Sequence, residues 1–470
     1  MKTQFPKFCV DTNKIPNPAH LSQAETSLEL WCTYAAEPQE LRIFCDAIAN
    51  ENKGQILRAV FGNSTFLTQC LIKDRLFMKT IMEQGPDHAY GVVMETLESE
   101  LGQVESLANI MTGLRKAKQR IALVVGLSDI AGLWSLDQVT EKLSYFADLA
   151  TNLAVRFALR QSAATGCITL ARGDTPEDKC GYAMIAVGKL GARELNYSSD
   201  IDLVAIYDPE RVGIADRDKL GAEMARMTRL IVKLIGERSS DGYVFRVDFR
   251  IRPDPGSTPL AIPIESALRY YENTGQNWER LAFIRARPMA GDMTVGQNFL
   301  DSIQPFIWRK NLDFAAIQDI HSVKRQIAAH RGGSKIAING HNIKLGRGGI
   351  REIEFFAQTQ QLIWGGRSPN LRTRKLSTTL NALATEGRIS TNTAMELNKA
   401  YKFLRKLEHR LQMVDDRQIH SLPRTDEEVA AIGKFLGYDR PEGFRRAVLG
   451  TLEKVESYYA ALFEESENLG

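Results

Sequence analysis

The spacing of hydrophobic positions divides the chain into a helical beginning, a short α/β middle and a helical end. From about Leu21 to Arg160, leucine and alanine recur with a helical period and few prolines interrupt them. Ser135 and Gln138 have the spacing of a capping box at the start of one of these helices. Near the other end, a long packed helix is predicted by apolar residues at alternating spacings of three and four: Leu397, Ala400, Leu404, Leu407, Leu411 and Val414.

The middle of the chain has the pattern of a small sheet. After a stretch rich in turn residues, the apolar run Tyr182–Val187 predicts a buried strand. Two more strands are predicted at Ile201–Tyr207 and Tyr243–Ile251, with a helix over Arg217–Glu237 between them. We therefore expect a predominantly helical α+β fold with a mixed sheet. Its predicted parts are an N-terminal helical region (1–165), an α/β core (166–290) and a C-terminal helical domain (291–470).

Composition narrows the class of protein. Of the 470 residues, 44% are hydrophobic and 25% are charged, as in an average globular chain, and the net charge is only +3. That charge is too small for a broad basic surface that binds nucleic acid, so any site for a polyanion must be local. The cysteines form no C-x-x-C pair, and neither a signal peptide nor a membrane-spanning run is evident. We expect a cytoplasmic protein without membrane or nucleic-acid partners.

The candidate chemistry begins with two aspartates at the start of the second predicted strand. Asp200 and Asp202 are two residues apart, so their side chains point to the same face of an extended strand. Two converging carboxylates repel each other unless a cation lies between them, and Mg²⁺ favours carboxylate oxygens together with substrate phosphates. The pair follows a strand, a turn at Gly188 and a short predicted helix. An isolated D-x-D is usually a solvated strand edge, and this context favours a functional role.

The third predicted strand supplies further polar residues on one face. Phe245, Val247, Phe249 and Ile251 alternate with Arg246, Asp248, Arg250 and Arg252. If this strand lies beside Asp200, Asp248 becomes the third carboxylate of a two-metal site of the kind that clamps the oxygens of a phosphoryl or nucleotidyl transfer. Arg250 and Arg252 are then placed to bind phosphate through their guanidinium groups.

Two more groups of residues each leave two interpretations open. Lys344, Arg347 and Arg351 surround a glycine-rich turn before a predicted helix, where they either bind a phosphate or nucleotide or merely pack the helical domain on the core. A basic cluster is expected to be a solvated face, with contact to an acidic partner as the minority alternative; it comprises Arg367, Arg372, Arg374 and Lys375. His409 and His420 lack metal-ligand spacing and are expected to be structural.

These motifs resemble a known family. One pattern resembles that of the nucleotidyltransferase superfamily of DNA polymerase beta: a hydrophobic residue, then Gly188 with a small turn, then Asp-x-Asp. More narrowly, motifs covering about residues 180 to 423 resemble the glutamine synthetase adenylyltransferase/adenylyl-removing enzymes; they are Gly188–Leu203, Val247–Pro253, Lys344–Phe355 and Tyr401–Gln412. Ala192 departs from the glycine common in that family, which could alter the turn without touching the metal ligands.

The resemblance implies an activity. The family joins two nucleotidyltransferase modules. The N-terminal one removes AMP from a tyrosine of glutamine synthetase by phosphorolysis, giving ADP, and the C-terminal one attaches AMP from ATP. This chain shows one unit in which a D-x-D follows a strand and a glycine turn, after a long helical segment, so it resembles the N-terminal, adenylyl-removing half, with a polymerase-beta-like core between helical regions.

The resemblance also implies roles for single residues. Asp200, Asp202 and Asp248 would be catalytic and would bind Mg²⁺, with Mn²⁺ as a substitute, while Gly188, Lys189 and Ser199 would approach the phosphates. Phosphate and ADP or ATP are the implied substrates and products, and glutamine synthetase and a PII-type signal protein the implied partners. Three alternatives stay open: adenylylation of the same tyrosine with ATP, a non-catalytic regulatory module that binds PII-type proteins, and a nucleotidyltransferase acting on RNA, which the near-neutral charge disfavours.

Overall fold

A computed structural model describes residues 8, 11–33, 39–50, 54–214, 216–310 and 336–467. The predicted N-terminal helices are present, and the capping box of Ser135 and Gln138 begins the last of them. They are α1 (Leu21–Thr33), α2 (Gln39–Asn50), α3 (Gly54–Phe61), α4 (Thr65–Lys73), α5 (Arg75–Gln84), α6 (Pro86–Leu101), α7 (Leu107–Ile130) and α8 (Leu136–Ala164). None of the described helices is long and apolar enough to cross a membrane.

A small mixed sheet follows these helices. Its strands are β2 (Tyr182–Ala186), β3 (Asp200–Tyr207), β5 (Arg246–Asp248), β6 (Ala261–Pro263) and β7 (Arg287–Gly291). The order is β5-β3-β2-β7. Strand β6 also pairs with β3, along the second half of β3, whereas β5 pairs with its first residues. Strand β2 is antiparallel to β3 and β7, whereas β3 is parallel to β5 and β6. Two short strands, β1 (Ile168–Thr169) and β4 (Gly213–Ile214), pair separately. The first two predicted strands and the mixed α+β class are confirmed.

Helices connect and cover the strands of the sheet. They are α9 (Gly188–Gly191), α10 (Leu220–Gly236), α11 (Ile264–Asn273), α12 (Asn277–Phe283), α13 (Met293–Ser302) and α14 (Gln304–Ile307). The apolar packing of the sheet continues past residue 290 through α13 and α14 to Trp308, which belongs to the same buried cluster as Ile185.

The third predicted strand is shorter than the alternating pattern suggested. Tyr243–Ile251 was expected to be extended, but only Arg246–Asp248 pairs with β3. The chain turns after Asp248, whose carboxylate accepts hydrogen bonds from the backbone N–H and the guanidinium of Arg250. Arg252 donates to the carbonyl oxygens of Phe249 and Pro255. These local bonds end the ladder, so Arg250 and Arg252 do not continue one strand face with Asp248.

The two faces of the sheet are both buried, and this places the aspartates. Met184 and Leu203 pack with the N-terminal helices, whereas Ile185 and Val204 pack with α11, α13 and α14. Because side chains alternate along a strand, Asp200 and Asp202 share the face of Val204, at the first residues of β3. There the apolar cover stops and a pocket begins.

The C-terminal helices form a hydrophobic cluster of their own. They are α15 (Ile350–Trp364), α16 (Leu376–Thr385), α17 (Thr391–Met413), α18 (Asp426–Phe435) and α19 (Pro441–Glu467). Helix α17 confirms the predicted long helix: its leucines from Leu397 to Leu411 are buried, and Val414 lies half-buried just past its end. The sequence is rich in glycine from residue 332 to residue 349, and the first part of this stretch, 332–335, lies outside the described residues.

Candidate active site

Three carboxylates converge where β3 begins. The parallel register sets Asp202 opposite Asp248, and one carboxylate oxygen from each of these residues and from Asp200 lies within 4.8 Å of the others. The predicted adjacency of the two strands is therefore confirmed. A set of carboxylate oxygens at this spacing fits the donor preference of a hard divalent cation such as Mg²⁺ or Mn²⁺.

The electrostatics of the cluster favour a cation. Burial, reinforced by the negative charges of Asp200 and Asp248, raises the pKa of Asp202 to about 7, although Lys344 and Lys189 act in the opposite direction. Burial also acts to raise the pKa of Asp248, but its hydrogen bonds with Arg250 outweigh burial and lower that pKa. Without a cation, the protonated form of Asp202 is therefore favoured up to about neutral pH, whereas a bound cation would favour the carboxylate.

This raised pKa predicts a pH-dependent stability of the metal-free protein. The folded state holds the Asp202 proton more tightly than the unfolded state, so the free energy of unfolding falls as pH rises from 3.8 to about 7. The full effect is about 4 kcal/mol at most. Urea unfolding of the metal-free chain at pH 5 and pH 8 should therefore show a loss of stability that is smaller in Asp202→Asn. Equal losses in both proteins would contradict this assignment.

The turn before the aspartates requires a glycine. Gly188 has a φ of +58°, and a Cβ there would lie 2.7 Å from Asp202 Oδ2. Any side chain would therefore displace a carboxylate of the cluster. Ala192, the departure from the family pattern, has a φ of −77° at the end of α9. This ordinary right-handed conformation does not require glycine.

A pocket of about 550 Å³ opens beside the carboxylates. Seven of the site residues predicted from the sequence line it: Gly188, Lys189, Ser199, Asp200, Asp202, Lys344 and Arg351. The other lining residues were not predicted as site residues; they are Ile251, Trp278, Leu281, Ala282, Arg285, Leu345, Glu354, Phe355 and Gln358. Asp248 and Arg250 pair with each other and are not among its lining residues. Arg252 and Arg347 do not line it. Arg252 bonds backbone carbonyls, and Arg347 pairs with Glu456 at 3.2 Å.

The glycine-rich turn before α15 serves packing, while two of its cationic side chains reach the pocket. The backbone N–H groups of Ile350 and Arg351 donate to the carbonyls of Ile343 and Lys344, at 2.9 Å each. A Cβ at Gly348 would lie 2.0 Å from a carbonyl oxygen of α19. These N–H groups are therefore occupied by protein carbonyls, and the side chains of Lys344 and Arg351 are the groups that an anion in the pocket can meet.

Beneath the pocket lies a buried network of charges that the sequence analysis missed. Lys189 Nζ lies 3.2 Å from Glu408 Oε1 on α17, and His420 Nδ1 lies 2.9 Å from the same oxygen. Burial lowers the pKa of Lys189 to about 8, although Glu408 opposes this shift. Arg405 lies 3.4 Å from Glu408 Oε2.

The network continues to the other side of the pocket and is balanced in charge. Arg285 pairs with Glu354 at 2.9 Å and lies 3.9 Å from Glu194. Three cationic and three anionic side chains, all buried, thus join the turn after β2 to α15, α17 and the segment between α12 and β7; they are Lys189, Arg285, Arg405, Glu194, Glu354 and Glu408. A sequence signal existed for part of it, since Arg405, Glu408 and Gln412 recur at helical spacing, each one residue after a leucine of α17, on the face next to the leucines.

Gln418 is a second contact from the C-terminal unit that sequence reasoning missed. Its Nε2 donates to Asp200 Oδ1 at 2.8 Å, and Ser199 Oγ lies 3.3 Å from the same oxygen. Gln418 therefore orients a carboxylate of the cluster without being a ligand candidate itself.

Removing this contact should weaken the binding of a divalent metal. Loss of an outer-shell partner of a metal ligand typically costs roughly 10–100-fold in affinity or activity. We expect Gln418→Ala to raise the Kd for Mn²⁺, measured by calorimetry, by a factor in that range. Gln297→Ala is a suitable control because that amide pairs with Asp301 on the far helix α13. Unchanged Mn²⁺ affinity in Gln418→Ala would show that Asp200 does not depend on this hydrogen bond.

The remaining candidates have structural partners. His409 is fully buried with Nδ1 3.0 Å from Asp129 Oδ2, as expected for a structural histidine. In the basic cluster, Arg372 and Arg374 donate to the carbonyls of Gly365 and Ala286. Arg367 donates to the carbonyl of Lys310, and Lys375 pairs with Glu141. The cluster holds neighbouring elements together.

Comparison with known proteins identifies the family to which this site belongs. A family profile described as glutamate-ammonia ligase adenylyltransferase matches residues 54–302, just over half of the chain. The chain belongs to this family. A second profile, described as GlnD PII-uridylyltransferase, matches residues 321–463. The adenylyltransferase family match includes Asp200, Asp202 and Asp248, and the second match includes Glu408 and Gln418.

Curated relatives of this adenylyltransferase-family chain carry one name, bifunctional glutamine synthetase adenylyltransferase/adenylyl-removing enzyme. The protein from Brucella melitensis is 44% identical over 93% of this chain and 44% of its own length. That from Rhizobium meliloti is 52% identical over 77% of this chain and 37% of its own length. That from Mesorhizobium japonicum is 44% identical over 96% of this chain and 46% of its own length. The chain thus spans less than half the length of these relatives.

Proposed function

We propose that this chain is a metal-dependent nucleotidyltransferase module that removes AMP from an adenylylated tyrosine of glutamine synthetase by phosphorolysis, releasing ADP. The observation that carries the proposal is the convergence of the Asp200, Asp202 and Asp248 carboxylates, two of which, Asp200 and Asp202, line a pocket together with cationic side chains. Membership of a family of adenylyltransferases gives this arrangement its reaction class.

The chemistry divides between the carboxylates and the cationic side chains. Asp200, Asp202 and Asp248 would hold the divalent metal, which when bound supplies positive charge to the phosphoryl oxygens. Lys344 and Arg351 line the same pocket and would bind and orient the phosphates. Together they counter the charge that develops on the phosphoryl group during transfer.

The proposed reaction needs no protein nucleophile. An oxygen of inorganic phosphate attacks the α-phosphorus of AMP-tyrosine in line, a new P–O–P bond forms, and the bond from phosphorus to the tyrosine oxygen breaks. The phenolate keeps the electron pair and takes up, through solvent, the proton that the attacking hydrogen phosphate brings, and the other product is ADP. Phosphate is a competent nucleophile at neutral pH, so the protein mainly positions the reactants.

Two features support a protein-attached substrate and a regulated module. Arg250 and Arg351 have side chains that are 83% and 51% exposed beside the carboxylates, so the site is accessible to a residue on the surface of another protein. The match of residues 321–463 to a PII-uridylyltransferase profile supports a PII-type signal protein as a second partner. We place the reaction in the cytoplasm, with Mg²⁺ as the metal and Mn²⁺ as a substitute.

The alternative is adenylylation of the same tyrosine with ATP, because the relatives are named for both activities and this chain spans less than half of their length. Two reactions separate the alternatives. Adenylylated synthetase with phosphate and Mg²⁺ should release ADP. Unmodified synthetase with ATP and Mg²⁺ should remain unlabelled. Labelling of the synthetase in the second reaction with no ADP in the first would identify an adenylylating module. No product in either reaction would favour a non-catalytic module.

A further inference from the structure

One wall of the active-site pocket is apolar and faces the space beside the carboxylates. It is formed by Ile251, Trp278, Leu281, Leu345 and Phe355. Trp278 is 45% exposed and Leu345 is 42% exposed, although both are large hydrophobic side chains. Among the other tryptophans that the structure describes, Trp31, Trp134 and Trp308 are buried and Trp364 is half-buried. An indole left open beside a charged site is a surface on which a flat ring can stack.

We propose that this wall binds the purine base of the nucleotide, with Trp278 as the stacking and specificity-determining residue. The inference rests on the proposed nucleotidyl transfer. It assigns a binding surface to the base of the nucleotide, which the carboxylates do not contact. The pocket offers two chemically different surfaces. Asp200, Asp202, Lys344 and Arg351 suit a metal-bound phosphate, and the apolar wall suits an aromatic base.

The size and composition of the pocket favour a nucleotide over a protein side chain alone. Its volume of about 550 Å³ lies within the range of small-molecule sites. The wall is built from three separate parts of the chain: Ile251 follows β5, Trp278 and Leu281 lie on α12, and Leu345 and Phe355 belong to α15 and the turn before it. Gln358 Nε2 donates to the carbonyl of Leu281 at 3.3 Å, which ties α12 to α15 across this wall. The surface is therefore preformed.

Stacking predicts a preference for purines. A purine offers a larger π-face to an indole than a pyrimidine does, and the removal of one stacking partner typically weakens binding by about tenfold or more. We expect wild-type protein to bind ADP more tightly than CDP in the presence of Mn²⁺. Pyrophosphate, which has two phosphates and no base, should bind independently of Trp278.

The test is calorimetric titration of ADP, CDP and pyrophosphate into the full chain with Mn²⁺. Trp278→Ala should weaken ADP about tenfold or more and leave pyrophosphate unchanged, while Trp278→Phe should retain most of the ADP affinity. Leu76→Ala, which truncates another exposed large hydrophobic side chain on α5, outside the pocket, is the control. Intrinsic fluorescence gives a second measurement: quenching by ADP should persist in Trp364→Phe and disappear in Trp278→Phe.

The outcomes separate this inference from the proposed function. Equal ADP affinity in wild type and Trp278→Ala, with binding still lost in Asp202→Asn, would overturn the base subsite and leave the nucleotidyl transfer intact. Slower AMP removal in Trp278→Ala with unchanged ADP affinity would assign the wall to the protein substrate instead, which also overturns the inference. Pyrophosphate binding without any ADP binding in wild type would overturn both.

Discussion

Asp202→Asn should reduce the release of ADP from adenylylated glutamine synthetase by at least about 100-fold, since loss of even an outer-shell partner of a metal ligand costs roughly 10–100-fold. Burial and the negative charges of the neighbouring aspartates raise the pKa of Asp202 to about 7, so its carboxylate lies where a cation would relieve charge repulsion. Asparagine keeps the shape and one oxygen but removes the negative charge. The rate of ADP formation with phosphate and Mg²⁺ is the quantity to measure.

The matched control is Asp208→Asn, just beyond the other end of β3. Asp208 pairs with Arg211 and accepts a hydrogen bond from the backbone N–H of Glu210, away from the pocket. It should keep nearly the full rate. Circular dichroism and the Kd for Mn²⁺ show whether the Asp202 variant is folded and has lost its metal. A folded Asp202→Asn protein with the full rate would contradict the assignment of this residue to the site.

The second large effect is on stability, at the buried network beneath the pocket. Glu408 is fully buried and is approached by Lys189, Arg405 and His420. Glu408→Gln preserves the volume but leaves two buried cationic side chains without their common counter-charge. Removal of one partner of a buried ion pair typically costs about 3–5 kcal/mol. The free energy of unfolding from urea titration should fall by an amount in that range.

Glu396→Gln on the same helix is the control for the Glu408 experiment. Glu396 pairs with Lys454 near the surface. Water and salt screen such a pair, so the urea midpoint should hardly move. If the two variants lost the same stability, the network would be no more than a set of weak contacts. A large loss confined to Glu408→Gln would show that α17 holds the turn after β2 in place.

The part of the site that could be predicted from the sequence is local. Asp200 and Asp202 share a strand, and period-two alternation fixes their common face. Gly188 precedes them by a turn whose geometry admits no side chain. The position of Asp248 beside these two aspartates followed from one assumption, that the third predicted strand lies next to the second, and the structure confirms this pairing. These inferences depend on neighbours within a few residues of one another or on a single pairing.

The parts that were missed depend on contacts between distant segments. Gln418 and Asp200 are 218 residues apart, and Lys189 and Glu408 are 219 apart. No periodicity links such pairs. The predicted reach of the third strand was wrong for a related reason. Alternation continues through Arg252, but a side-chain bonded turn at Asp248 and Arg250 ends the ladder, and hydropathy does not report hydrogen bonds.

The central claim is phosphorolysis of AMP-tyrosine at the three carboxylates, and the fate of labelled phosphate tests it most directly. Adenylylated glutamine synthetase is incubated with ³²P-orthophosphate, Mg²⁺ and this chain, and the nucleotides are separated. The account predicts that the label appears in ADP, in the phosphate distal to the ribose, in step with the loss of AMP from the synthetase. Release of unlabelled AMP, or label that stays entirely in orthophosphate while AMP remains on the tyrosine, would contradict it.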